Sequence, residues 1–301
     1  MSYECKELTM GDGNVNCFHS WVPEGDVRSI VLLSHGMTEY AFRYAPFGEF
    51  LNKNGIALFA EDHRGHGKTA ERAEKAGTGS FGYLADKNGF FRVVDDIREE
   101  ADLLRSSYPG KKLFLFGHSF GSFIAQCFIE RYGSLVDGCI LCGSAGPRAV
   151  VYPGHLLVRL ITAFSGRRKV SPVIGALTMG SYGDNWLSRD TELLAQYASD
   201  PWCTFRCKNG FYEDMLAGLC FIHRRKHLAA IPKGLPVFLI AGTDDPVGDF
   251  GKSVEKLYDC YRKLPIADVQ LKLYEGAKHE LLNETNRAEV MDDVLGWMQR
   301  H

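Results

Sequence analysis

Six short apolar runs recur along the chain, each about five to seven residues of Val, Ile, Leu or Phe ending in Gly or polar residues. They are "VRSIVLLSHG" (27–36), "GIALFAEDHRGHG" (55–67), "KLFLFGHS" (112–119), "VDGCILCGSAG" (136–146), "LPVFLIAGTDDP" (235–246) and "VQLKLYEGAKHE" (269–280). Such runs are expected of central strands buried on both faces. Between them lie helical patterns. In "FRVVDDIREEADLLRSSYPG" Val93, Val94, Ile97, Ala101 and Leu104 form one apolar stripe, and Pro109-Gly110 marks the stop. "NRAEVMDDVLGWMQR" repeats the pattern with Val290, Val294 and Trp297. Strand and helix in alternation predict an α/β fold, a mostly parallel central sheet with helices on both faces. Residues 3–8 and 17–22 are expected as antiparallel edge strands.

The alternation lapses between 147 and 230, where no strand-like run occurs. A segment that long is rarely structureless, so it is expected to be a helical cap inserted into a core made of 1–146 and 231–301. The cap carries eleven Lys and Arg against six Asp and Glu, Asp184 among the latter, a local charge of +5. The whole chain, at 301 residues, 45% hydrophobic and 24% charged, is globular in composition, and its formal charge of −2 gives no field that would gather nucleic acid. Nine cysteines, an odd number in a chain too long to need staples, read as reduced thiols. With no leader-like start and no apolar run of membrane-spanning length, a cytoplasmic protein is expected.

Gly117-His118-Ser119-Phe120-Gly121 fits G-x-S-x-G, in which a serine sits on a sharp turn from strand into helix and small neighbours let the two backbones approach. "LFLF" before it and "SFIAQCFIERY" after it supply that strand and helix. A serine hydroxyl needs a base and an acid that orients the base, and with this motif they follow in the order acid, histidine. Asp244 and Asp245 come just beyond one later strand, and His279 beyond the next. An oxyanion also needs donors. The N–H of Phe120, the residue after the serine, is one candidate, and that of Met37, after His35-Gly36 at an early strand end, is the second.

Other motif matches lack their context. "GTGSFG" (77–82) spells G-x-G-x-x-G but follows a polar stretch, not a strand. "GHGKT" lacks the first glycine of a P-loop, that place falling on Asp62, and "HELLN" has Asn283 where a zinc helix needs His. Cys139 and Cys142 are three apart in an expected strand, hence on opposite faces, which suits neither a metal nor a redox pair. No cofactor and no catalytic metal are expected.

With these motifs the chain resembles the α/β-hydrolase superfamily, and within it the monoacylglycerol lipase and lysophospholipase-like serine hydrolases, bacterial members especially. "SHGMTEY", "EDHRGHGKT", "GHSFG", "AGTDDPVG" and "YEGAKHELLNE" are similar to that family's oxyanion loop, Arg-Gly-His-Gly turn, elbow, acid loop and histidine loop, in that order. In the insertion "SDPWCTFRC" is similar to the family's Asp-Pro cap motif, within a divergent surround. The resemblance implies Ser119 as nucleophile, His279 as base, Asp245 as orienter by the Gly-x-x-Asp-Pro pattern with Asp244 as fallback, and Met37 and Phe120 as oxyanion donors. It implies cleavage of small to medium-chain esters, monoacylglycerols included, with lysophospholipids or amides as alternatives and a non-catalytic binding protein as the reading of another class. Substrate selection is expected in the cap, where "HLLVRLITAF" and "FYEDMLAGLCFI" are suited either to line an acyl pocket or to pack on the sheet. A transient membrane-surface contact is expected through the cap as well; the oligomeric state is not legible.

Overall fold

The computed structural model describes residues 2–179, 182, 183 and 185–301, so Asp184 of the cap charge count lies outside the described residues. One eight-stranded sheet runs through it: β1 (Ser2–Thr9), β2 (Val15–Val22), β3 (Ser29–Ser34), β4 (Ile56–Asp62), β5 (Lys112–His118), β6 (Gly138–Cys142), β7 (Val237–Gly242) and β8 (Val269–Tyr274). Their spatial order is β1-β2-β4-β3-β5-β6-β7-β8. The six strands from β4 to β8 in that order are mutually parallel, while β1 and β2 pair antiparallel with each other and β2 antiparallel with β4. The sheet is thus the mostly parallel one expected, with its antiparallel pair at one edge.

Strand period 2 divides each apolar run between two cores. In β5, Leu113 and Leu115 join the core on one face and Phe114 and Phe116 the core on the other; in β6, Cys139 and Cys142 part in the same way. The first face is covered by α3 (Gly89–Ser107), α4 (Phe120–Tyr132) and α10 (Lys252–Arg262). The second is covered by α1 (Ala45–Lys53) and α11 (Arg287–Arg300), where Phe47, Leu51, Val290, Val294 and Trp297 are buried. The charged α2 (Gly67–Lys75) turns Thr69 and Ala70 inward beside β2 and β4. "GTGSFG" therefore follows a helix, and the strand that a dinucleotide loop needs is not there.

Between β6 and β7 the described residues form five helices: α5 (Val151–Ser165), α6 (Pro172–Met179), α7 (Thr191–Ser199), α8 (Asn209–Ile222) and α9 (Arg225–Leu228). α8 rests on α3 and α4, with Phe211 and Ile222 fully buried in the first core. α5 lies against α8. No helix among the described residues is long and apolar enough to cross a membrane.

Candidate active site

Parallel strands end on one edge of a sheet, and at that edge loops and helix N-termini are free to carry chemistry. β5 ends at His118, and Ser119 makes the turn into α4 with φ 51° and ψ −118°, a conformation in which a non-glycine residue is strained. The flanking glycines allow this turn. A Cβ on Gly117 would stand 2.5 Å from the Gly121 oxygen and 2.7 Å from the Ala125 Cβ, and one on Gly121 would overlap the carbonyl oxygens of Ser34 and His35. The second overlap links the elbow to the oxyanion-loop candidate, since Ser34 and His35 lead into Gly36 and Met37. Gly121→Ala is therefore expected to destabilise the fold by about 1–3 kcal/mol and to lower turnover further by displacing that loop; chemical denaturation with parallel rates on the folded protein separates the two effects.

His279 is buried, and its Nδ1 lies 3.0 Å from Asp245 Oδ2. Asp245 is fully buried, its Oδ1 accepting the Val247 N–H at 2.8 Å, whereas Asp244 is exposed. With Nδ1–H donating to the carboxylate, Nε2 is the nitrogen left to accept a proton. It is buried and has no hydrogen-bond partner among the described residues. Burial works against charge on the ring, but Asp245 above all, with Glu280 and Glu39, outweighs it and raises the pKa over the ordinary 6.5. If this ring acts as a base, kcat/KM falls as pH drops through a midpoint above 6.5, because only the neutral ring accepts a proton. A pH–rate profile flat down to pH 5 would remove His279 from that role.

Ser119, Met37, Phe120 and His279 line one cavity of about 500 Å³. Phe120 opens α4, so its N–H is among those a helix leaves without an intrahelical acceptor. The loop bearing Met37 is held from both sides. His35 Nε2 accepts the His63 N–H at 2.9 Å, which leaves Nδ1–H to donate to Gly36 O at 2.8 Å. Glu39 accepts the Gly36 N–H and, at 2.9 Å, the Tyr44 hydroxyl.

Several residues around the site were not singled out by their sequence pattern. The His118 ring lies tilted against that of His279, 4.9 Å between centroids, with its Nδ1 3.1 Å from Glu39; burial and then His279 pull its pKa down to about 3. Arg43 grips Glu280 through two bonds, 2.8 and 2.7 Å, and Glu39 at 3.0 Å. From the segment between β6 and β7, Trp186 covers His279 at 5.0 Å between ring centroids, Leu187 O accepts the Glu280 N–H, and Arg189 pairs with Glu284 at 2.9 Å. That segment is thereby fastened to the loop that carries His279. Its α5 and α8 supply Leu157, Val158, Met215, Leu216 and Leu219 to the cavity wall.

Residues 25–286 match the family described as Serine aminopeptidase, S33. The chain is 28% identical to a monoacylglycerol lipase of Mycolicibacterium smegmatis over 97% of this chain and 95% of that one. It is 29% identical to a human monoglyceride lipase, over 97% and 89%. Among solved structures it superposes with a TM-score of 0.90 on a thermostable carboxyl esterase from Bacillus coagulans in complex with glycerol, 25% identical, covering 99% of this chain and 98% of that one. A strained serine between β5 and α4, a buried His–Asp pair at the ends of β8 and β7, and a match over most of its length place this chain in the S33 serine hydrolase family of the α/β-hydrolase fold.

Proposed function

We propose that the chain hydrolyses carboxylic esters of small to medium acyl chains, monoacylglycerols among them, through an acyl-enzyme. The observation that carries this reading is the buried His279–Asp245 pair in one apolar cavity with the strained Ser119. His279 Nε2 takes the Ser119 proton as Oγ attacks the ester carbonyl, and the N–H groups of Met37 and Phe120 hold the oxyanion. The C–O bond to the alcohol then breaks, and the imidazolium returns the proton to the leaving oxygen. Water, deprotonated by the same ring, attacks the acyl-serine and releases the acid. Asp245 keeps the ring in the required tautomer and stabilises its charged form.

The family's description names an aminopeptidase, and recognition of a peptide's terminal ammonium needs an available carboxylate. Glu39 and Glu280 both line the cavity, yet Arg43 engages each of them, and Gly36, Tyr44 and Asn283 take further acceptor positions. The wall is otherwise mainly aliphatic and aromatic, which favours an uncharged acyl ester.

Residues 147–230 serve in this reading as the cap that selects the acyl chain. α5 and α6 expose Leu156, Leu160, Phe164 and Val173, Phe164 at 92%, apolar side chains suited to transient contact with a lipid layer. All nine cysteines are free thiols, which supports a reducing, cytoplasmic setting. The test is a hydrolysis series from acetyl to palmitoyl monoacylglycerols and glycerophosphocholine monoesters. A maximum at medium-chain monoacylglycerols is expected, with Phe164→Glu slowing turnover of vesicle-borne but not of dissolved substrate. Faster cleavage of aminoacyl amides than of any ester would overturn the proposal.

A further inference from the structure

At the sheet edge remote in sequence from Ser119, β1 and β2 gather a cluster that the ester chemistry does not use. Their register sets Cys5 opposite His19 and Glu7 opposite Cys17, so Cys5, His19 and Cys17 share one face, with the two cysteines diagonal neighbours. Cys17 is in turn opposite Asp62 of β4. His19 is fully buried; its Nε2 lies 3.2 Å from Asp62 Oδ2 and 3.7 Å from Cys5 Sγ, and its Nδ1 lies 2.9 Å from the Tyr3 hydroxyl. Asp62 also accepts the N–H groups of Ala41 at 2.8 Å and Lys68 at 2.7 Å, which fixes the carboxylate beside the ring.

Burial opposes charge on His19, but Asp62 and Cys5 outweigh it and hold the ring at about 9. The Cys17 thiol above all pulls Cys5 well below the ordinary thiol value; partial burial opposes this, and His19 and Lys68 add to it. The hydrogen bond to Cys5 and then burial push Cys17 the other way. Burial raises the remaining seven cysteines too, so Cys5 alone of the nine is moved toward thiolate. It is also only half-buried, on an edge strand whose one strand neighbour is β2, the strand that carries Cys17.

We propose that Cys5 is a hydroperoxide-reactive thiol and Cys17 its resolving partner, a modification site on the β1–β2 pair. The Cys5 thiolate attacks a peroxide oxygen: an S–O bond forms, the O–O bond breaks, and hydroxide leaves and takes up a proton as water. The Cys17 sulfur then attacks that of Cys5: an S–S bond forms, the S–O bond breaks, and a second water leaves with the Cys17 proton. The two sulfurs together supply the two electrons that reduce the peroxide.

The test exposes the full-length protein to hydrogen peroxide at pH 7 and maps its thiols by differential alkylation and peptide mass. Cys5 is expected to be lost at least tenfold faster than any cysteine other than Cys17, giving a Cys5–Cys17 link that dithiothreitol reverses. In Cys17→Ser, dimedone is expected to trap Cys5 as its sulfenic acid; in Cys5→Ser, neither product forms. Prior oxidation of Cys260, the other partly exposed thiol, would overturn the proposal. So would a disulfide joining Cys5 to anything but Cys17, or equal reactivity of all nine thiols.

Discussion

Ser119→Ala is expected to abolish ester hydrolysis, lowering kcat by roughly 10⁴-fold or more, while the protein stays folded. In the proposed mechanism the hydroxyl is the atom that becomes acylated, so the loss is large, and no described neighbour in the cavity offers a substitute nucleophile in the same turn. The fold survives because the Ser119 side chain caps nothing at the start of α4 and alanine keeps the same backbone demands. Its midpoint of thermal unfolding should stay within a few degrees of the parent's. Turnover at parental rates in a correctly folded Ser119→Ala protein would dismiss the serine mechanism.

The second large effect separates two adjacent carboxylates. Asp245→Asn is expected to lower kcat by about 10³- to 10⁴-fold, since an amide NH₂ facing Nδ1 favours the tautomer with the proton on Nε2 and leaves no base toward the serine. Asp244 is exposed, its backbone N–H bonded to Ala277 O at 2.9 Å. Asp244→Asn should therefore stay within about twofold of the parent, as surface changes do. Steady-state rates of both variants on one monoacylglycerol decide the matter, and the reverse ranking would shift the orienting role by one residue.

The ease with which the sheet is read from sequence follows from its burial. β3, β4, β5, β6 and β7 are covered on both faces, so each is a continuous apolar run, and the turn chemistry at their ends marks where side chains emerge. α2 escapes such a reading because its apolar content is little more than Ala70 and Ala73 amid Glu, Lys and Arg. The same division holds at the site. Ser119 follows β5 directly and Asp245 and His279 come within a few residues of the ends of β7 and β8, and that local context is visible in a linear chain. Asp244 and Asp245 are equivalent by that criterion; only the folded loop turns one inward to His279 and the other to solvent.

The supporting network is of a different kind. Arg43 and Glu280 are 237 positions apart and meet only because β3 and β8 end on the same edge. Trp186 reaches His279 from a stretch between α6 and α7 whose local sequence has no strand or helix period to anchor it. Long-range ion pairs and aromatic covers of this sort leave no spacing rule in the chain. His118 had a signal in hindsight, since the position before Ser119 must stand beside it; what it touches depended on where the histidine loop came to rest.

The central claim is an activated serine at the β5–α4 turn, and covalent labelling tests it most directly. A fluorophosphonate ester at low concentration is expected to add one phosphonyl group per chain, mapped by peptide mass to Ser119. Labelling should fall as pH drops below the His279 titration and be absent in Ser119→Ala. A folded protein that takes no label, or takes it at another residue, would contradict the account.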